Sequence, residues 1–177
     1  MRNKSLISLG IIGGVIFLLS FGNFVYGNLR KSFKYSTPLE SFEKSVSVES
    51  ELIDIIEMND IAIVVYKEKG GISTYQVIAQ NDGGWDSILH NQKNVKHLMT
   101  EYGVIDIIQL HNQYVIAVTM QVLDGKEPSI SDNQNSEFTL VTGNSSSDSS
   151  IYYGFAILTD IIPDNYAIWI DSTEIAV

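Results

Sequence analysis

Cysteine is absent from this 177-residue chain, which excludes a disulfide, a thiolate nucleophile, a cysteine-bound zinc and a lipid attached through cysteine. Stability must come from burial. Acidic residues are absent before Glu40, and five of the 11 basic residues (Arg2, Lys4, Arg30, Lys31 and Lys34) bracket one uncharged apolar run. Residues 36–177 therefore carry six basic residues against 21 acidic ones, a net charge of −15. Nucleic acid and anionic lipid surfaces are recognised by Lys and Arg that displace counterions, so this body suits neither. Cationic partners suit it better, although an acidic surface also serves solubility alone. No Walker, Rossmann, G-x-S-x-G or H-E-x-x-H pattern is present, so the common phosphate, dinucleotide, hydrolase and zinc-protease signatures are missing.

The uncharged run Leu6–Tyr26 has 21 residues, and at about 1.5 Å per helical residue it matches the roughly 30 Å hydrocarbon core of a bilayer. Two readings follow. It is an uncleaved signal anchor, a single transmembrane helix holding the chain to the membrane through residues 6–26. Alternatively it is a signal peptide cut near Gly27, with Val25-Tyr26-Gly27 at the positions a signal peptidase reads, and the body is secreted. Both deliver the rest of the chain outside the cell membrane. Basic residues on both flanks leave the positive-inside comparison undecided, so an inverted, cytosolic body stays open. The expected organisation is a signal anchor or signal peptide over 1–29, a basic linker over 30–36 and one acidic extracytoplasmic domain over 37–177.

Thr37-Pro38-Leu39-Glu40 is a capping-box start, and it predicts a helix from Pro38 to about Val46. Glu51–Met58, Ile61–Lys69 and Ile72–Gln80 read as three antiparallel strands, separated by the turn dipeptides Asn59-Asp60 and Gly70-Gly71. Ile88, Val95, Met99 and Tyr102 then recur at helical spacing, with Gly103 as a left-handed stop, and predict a second helix over 87–102. Val104–Leu110 and Tyr114–Leu123 form a hairpin around His111-Asn112-Gln113, and further strands lie near Glu137–Thr142, Ile151–Thr159 and Tyr166–Asp171. The fold class expected is α+β, mainly antiparallel β-sheet with two helices. The Ser-rich stretch 143–150 is read as a loop.

Asp54-Ile55-Ile56, Asp106-Ile107-Ile108 and Asp160-Ile161-Ile162 each precede a turn and then an Ala, at spacings of 52 and 54 residues. With the two predicted helices, the first two copies suggest a tandem helix-hairpin duplication, although convergent hairpins leave the same triplets. Ile61–Tyr66 and Tyr114–Val118 are apolar almost without alternation, so both faces of these strands should be buried. Helices cover only one face, and the other must meet a second sheet or another molecule.

Ser41-Phe42-Glu43-Lys44, Ser131-Asp132-Asn133 and Lys69-Gly70-Gly71 echo the S-x-x-K, S-D-N and K-T-G elements of penicillin-binding serine enzymes. Their order is wrong, the third has Gly in the middle, and the body is too short for that fold. On a helix, His90, His97 and Glu101 share one face, a partial metal site, but that face lies opposite the apolar stripe and reads as solvated. Asp82 and Asp86 around Gly83-Gly84, and Asp132, Gln134 and Glu137, offer oxygens to a calcium ion without the helix-loop-helix spacing. Trp85 beside two glycines and Tyr152 on the outer face of its strand are the aromatic candidates for a ligand platform. The binding candidates are thus Trp85, Tyr152, Asp82 and Asp86, with no catalytic residue, metal or cofactor expected.

The leader, the TPLESFEKS helix, the DIAIVVYKEKGG hairpin and the NDGGW turn together resemble small uncharacterised membrane-anchored exported proteins of Gram-positive bacteria. The resemblance implies an exported location and no particular activity. The function expected is an extracytoplasmic binding or interaction module with a protein or cell-wall partner and no nucleic acid. A small cell-envelope enzyme or enzyme subunit, and an immunity-type or structural protein, are the alternatives; Ser41 with Lys44, or His90 with His97 and Glu101, would serve the enzyme.

Overall fold

A computed structural model describes residues 35–46, 49–81, 84–86, 93–123, 126–159 and 161–177. Thr37 caps the helix α1 (Pro38–Ser45), its Oγ1 accepting the Glu40 N–H at 3.1 Å. Glu40 reaches back as the capping box requires, but one residue further, to the backbone N–H and hydroxyl of Ser36 at 3.0 and 2.8 Å. At the other end the Val46 N–H and Ser45 hydroxyl both donate to the Phe42 carbonyl, which closes the helix. Pro38, Ser41 and Phe42 form its buried face.

Beneath α1 lies sheet A, in the order β1 (Glu51–Met58), β2 (Ile61–Lys67), β3 (Ser73–Asn81) and β4 (Gly84–Asp86), all antiparallel. Its first two hairpins turn where the dipeptides predict, with Asn59 at φ 59° and Gly70 and Gly71 at φ 138° and 79°. Sheet B holds β5 (Lys93–Met99), β6 (Gly103–Leu110), β7 (Gln113–Val122), β10 (Ser150–Leu158) and β9 (Thr139–Ser145), in that order. Sheet C is β12 (Thr173–Ala176), β11 (Ala167–Ile170) and β8 (Ile130–Asp132). The described chain is therefore mainly antiparallel sheet with one helix.

The layers follow from alternation along the central strands. On β2, Ala62 and Val64 meet Phe42, Ile78 and Trp85 under the helix, while Ile61, Ile63 and Val65 meet sheet B. On β7, Val115 and Ala117 face sheet A, while Ile116, Val118 and Met120 pack with Tyr166, Ile168 and Ile170 on the side of sheet C. The order is helix, sheet A, sheet B, sheet C, with an apolar core in each of the three gaps. The second cover that both strands required is thus another sheet of the same chain. Two glycines set the spacing on the two sides of sheet B. A Cβ at Gly143 would meet the Ser73 hydroxyl and the Tyr153 ring at 2.6 Å, and one at Gly154 would collide with the end of Ile130.

The second predicted helix is corrected. Residues 87–92 lie outside the described residues, and Lys93–Met99 form strand β5, paired along β6 with a bulge between Asn94 and Lys96. Val95 and Met99, the supposed buried stripe, are 44% and 76% exposed. A partner for the backbone of β6 outweighed the local 3.6-residue spacing, and β5 carries a lysine and a histidine as an edge strand commonly does. The helix-hairpin duplication fails with it. The hairpins themselves do match in register: Asp54 and Asp106 both lie five residues before left-handed turn residues, Asn59 and His111. The third copy is no hairpin, because Ile161 and Ile162 lie outside any strand.

Ile63 is fully buried between sheets A and B, and a side chain of its kind is worth roughly 1.5–3 kcal/mol in burial alone. Ile63→Asp adds an unpaired charge there and should abolish the cooperative melt. An unchanged melt by circular dichroism would contradict the layer order.

Candidate binding groove

Most polar side chains that the sequence offers for chemistry are spent on internal bonds. Ser41 of the S-x-x-K pattern is fully buried under α1, and its Oγ has no hydrogen-bond partner among the described residues. Lys44 is exposed. Lys69-Gly70-Gly71 forms the β2–β3 turn, while Ser131-Asp132-Asn133 belongs to β8 and the turn after it, on the far side of sheet B. The three elements do not share a site.

Asp132 acts as the anchor of a turn. Its Oδ1 accepts the backbone N–H groups of Gln134 and Ser136 at 3.0 and 2.8 Å, and its Oδ2 accepts the Tyr166 hydroxyl at 2.8 Å. Burial alone would raise its pKa, but the bonds from Ser136, Tyr166 and Gln134 outweigh it and hold the carboxyl below the ordinary value. Gln134 and Glu137, its supposed calcium partners, are exposed.

His97 lies on strand β5, with Nδ1 2.6 Å from Asp106 Oδ1. Asp106 also accepts the Tyr75 hydroxyl at 2.9 Å from sheet A. Phe155, Ala117, Asp106 and His97 face one another in a row across β10, β7, β6 and β5. The small Ala117 leaves room for the Tyr75 ring, which packs edge-on against Phe155 and ends at Asp106. Burial first, then the Asp106 carboxylate, push the Tyr75 phenol well above its ordinary value, so it remains a donor. This chain of three residues pins sheet A to sheet B. Glu101 sits apart in the β5–β6 turn and His90 lies outside the described residues, so the helical metal face is not formed. Among the described residues no three His, Asp or Glu side chains gather as metal ligands.

The aromatic candidates are also corrected. Trp85 is 6% exposed in the core beneath α1, and Tyr152 is 8% exposed in the core between sheets B and C. Neither ring is offered to a ligand; β10 is covered on both faces, so its outer face became a second inner one. Asp86 is half-buried in β4, and Asp82 lies outside the described residues.

Among the described residues a groove of about 370 Å³ lies where one end of the core between sheets B and C reaches the surface, within the size of ligand pockets. Met120 and Ile170, at the ends of β7 and β11, form its floor. Tyr102, Leu123 and Pro128 line its sides, with Tyr102 39% and Leu123 74% exposed. Glu101 and Asp171 supply the charge, and among the described residues no Lys or Arg lines it. The Thr100 hydroxyl accepts the N–H groups of Tyr102 and Gly103, both at 3.1 Å, and so fixes the turn that carries Glu101 and Tyr102. Asp171, at φ 47°, is held through Oδ1 by the Ser129 N–H at 2.9 Å. Its second oxygen and the Glu101 carboxylate make no hydrogen bond or ion pair among the described residues. Carboxylates in a concave apolar setting focus negative potential.

Sequence reasoning missed this groove because it assigned Tyr102 to the buried stripe of a helix. The available signal was Leu123, the end of an apolar run directly before the polar sequence Asp124-Gly125-Lys126. Asp106 also carried a signal, since a carboxylate inside GVIDIIQL demands a partner. No protein-family model, no curated protein and no solved structure matches the chain.

Two substitutions test these assignments. Ser41→Ala removes a buried unpaired hydroxyl and should leave stability unchanged or raise it, by up to about 1–3 kcal/mol; a loss measured by denaturant titration would reveal a hidden partner. Because the folded-state pKa of Asp132 is lowered, its stabilising contribution is present above the unfolded pKa near 4 and lost as pH falls below it. Asp132→Asn should therefore flatten the acid limb of the stability curve below about pH 4. An acid limb as steep as the parent's would exclude the assigned role.

Proposed function

We propose that the chain is a membrane-anchored extracytoplasmic binding module of a bacterial cell envelope, taking a partner at the Tyr102–Leu123 groove. The groove carries this reading: the exposed Tyr102 and Leu123, a floor that reaches the core and the carboxylates of Glu101 and Asp171 meet there, whereas Ser41, Trp85, Asp106, Asp132 and Tyr152 are buried or bonded. Exposed apolar surface rimmed by polar groups marks interaction sites in soluble domains. The location rests on the leader, 21 uncharged residues flanked by basic ones, and on the resemblance to exported Gram-positive proteins. No helix among the described residues is long and apolar enough to cross a membrane, and the leader lies outside them. Secretion after cleavage near Gly27 is the second reading, favoured by Val25-Tyr26-Gly27.

Intact cells expressing the full chain with a photo-crosslinking residue at position 123, or at Glu57 on β1 as a control, test both parts. External protease should digest the domain without lysis, and a defined crosslinked species should form from position 123 alone. A domain protected until lysis would refute the location; equal crosslinking from both positions would refute the groove.

A further inference from the structure

We infer that the groove's partner is an extended basic peptide segment, which seats a large apolar side chain between Tyr102 and Leu123 and sets a neighbouring Lys or Arg against Glu101 and Asp171. This rests on the binding reading of the groove and adds the chemistry of the occupant. Three features point the same way.

The first is charge. Among the described residues the lining contains two carboxylates and no cation, so an apolar ligand bearing a positive group gains from both parts of the site. The same charge disfavours the competing occupants. A second copy would bring another body of net charge −15 to the carboxylates, and an anionic bilayer surface would repel them.

The second is the backbone. Strand β6 stops pairing at Gly103 opposite Met120, whereas β7 continues through Gln121 and Val122, paired there only with β10 on its other side. Successive residues of an antiparallel strand point their N–H and C=O groups to opposite edges. In this register Gln121 is the one turned to the β6 side, and its C=O lacks the ladder donor that a continued β6 would supply. Tyr102, which would continue β6 past this point, has its own N–H turned to Thr100 Oγ1. An extended segment can donate a backbone N–H to that acceptor, as peptides do in strand addition.

The third is exposure. Leu123, Tyr102 and Met99 at this end are all at least 39% exposed. An alternating peptide presents apolar residues on one side, at the two-residue period of a strand, to such exposed apolar groups.

The test uses the full chain in detergent micelles and three capped hexapeptides: alternating Leu and Lys, alternating Leu and Glu, and alternating Gly and Lys. The Leu-Lys peptide should bind measurably more tightly than the others, with affinity falling as salt rises. Leu123→Ser, at an exposed position, should weaken it about tenfold. Glu101→Gln should weaken it roughly two- to fivefold, the scale of an exposed ion pair, and Glu57→Gln on β1 should leave it unchanged. Leu-Glu binding as tight as Leu-Lys, still sensitive to Leu123→Ser, would overturn the basic partner and leave the groove standing. Binding indifferent to Leu123→Ser, or equally weakened by Glu57→Gln, would overturn the groove as well. Concentration-dependent dimerisation abolished by Leu123→Ser would assign the groove to a second copy and refute the peptide.

Discussion

Strand β7 is apolar on both faces, and neither face can be left in water. Val115 and Ala117 look to sheet A, Ile116, Val118 and Met120 to sheet C, and each is at most 1% exposed. Since β7 sits in the middle of sheet B between β6 and β10, this one constraint requires a sheet on either side. Sheet A in turn has an apolar far face, which the short α1 covers with Phe42. Hydrophobic burial, near 25 cal/mol per Å² of apolar surface, sets the layer order, and the polar links then fix its alignment. Tyr75 to Asp106, Tyr153 to Ser73 and Gln113 to Asp60 all join sheet A to sheet B. On the other side, the Asp132–Tyr166 bond and the Ser129–Asp171 bond stitch β8 to the segment carrying β11.

Much of this was legible from residue order. Turn dipeptides with left-handed residues marked the hairpins, the capping box marked α1, and two non-alternating apolar strands announced burial on both faces. What failed was the stretch over 87–102, where Val95, Met99 and Tyr102 fell at helical intervals without being core residues. Their spacing carried no information about burial; the open edge of β6 decided the outcome, and that edge exists only once the sheet has formed. Strands β4, β8 and β12 have three or four residues each, too few for a period to register. The aromatic candidates failed for a related reason. Alternation places Tyr152 opposite Tyr153, but only the third sheet decides that both sides of β10 are inside.

The groove follows from the same architecture. Sheet C is narrow, three short strands over a five-stranded neighbour, so its end leaves Met120 and Ile170 near the surface. The β5–β6 turn and the end of β7 project beyond that edge and bring Tyr102, Leu123 and Glu101 around it. Binding at this place costs the fold little, because the exposed Tyr102, Leu123 and Glu101 that would meet a partner are not among the side chains holding the layers together. An interior already satisfied by its own sheets leaves recognition to its margins.

Hydrogen exchange of the full chain, read by mass spectrometry on peptides from each strand, tests the central claim most directly, since strands that open only with the whole domain exchange slowest. The β2, β7 and β10 amides should exchange together at the global rate, with β5 faster. If β7 exchanged as fast as β5 while β2 stayed protected, sheet B would not be the shared layer on which the other two depend.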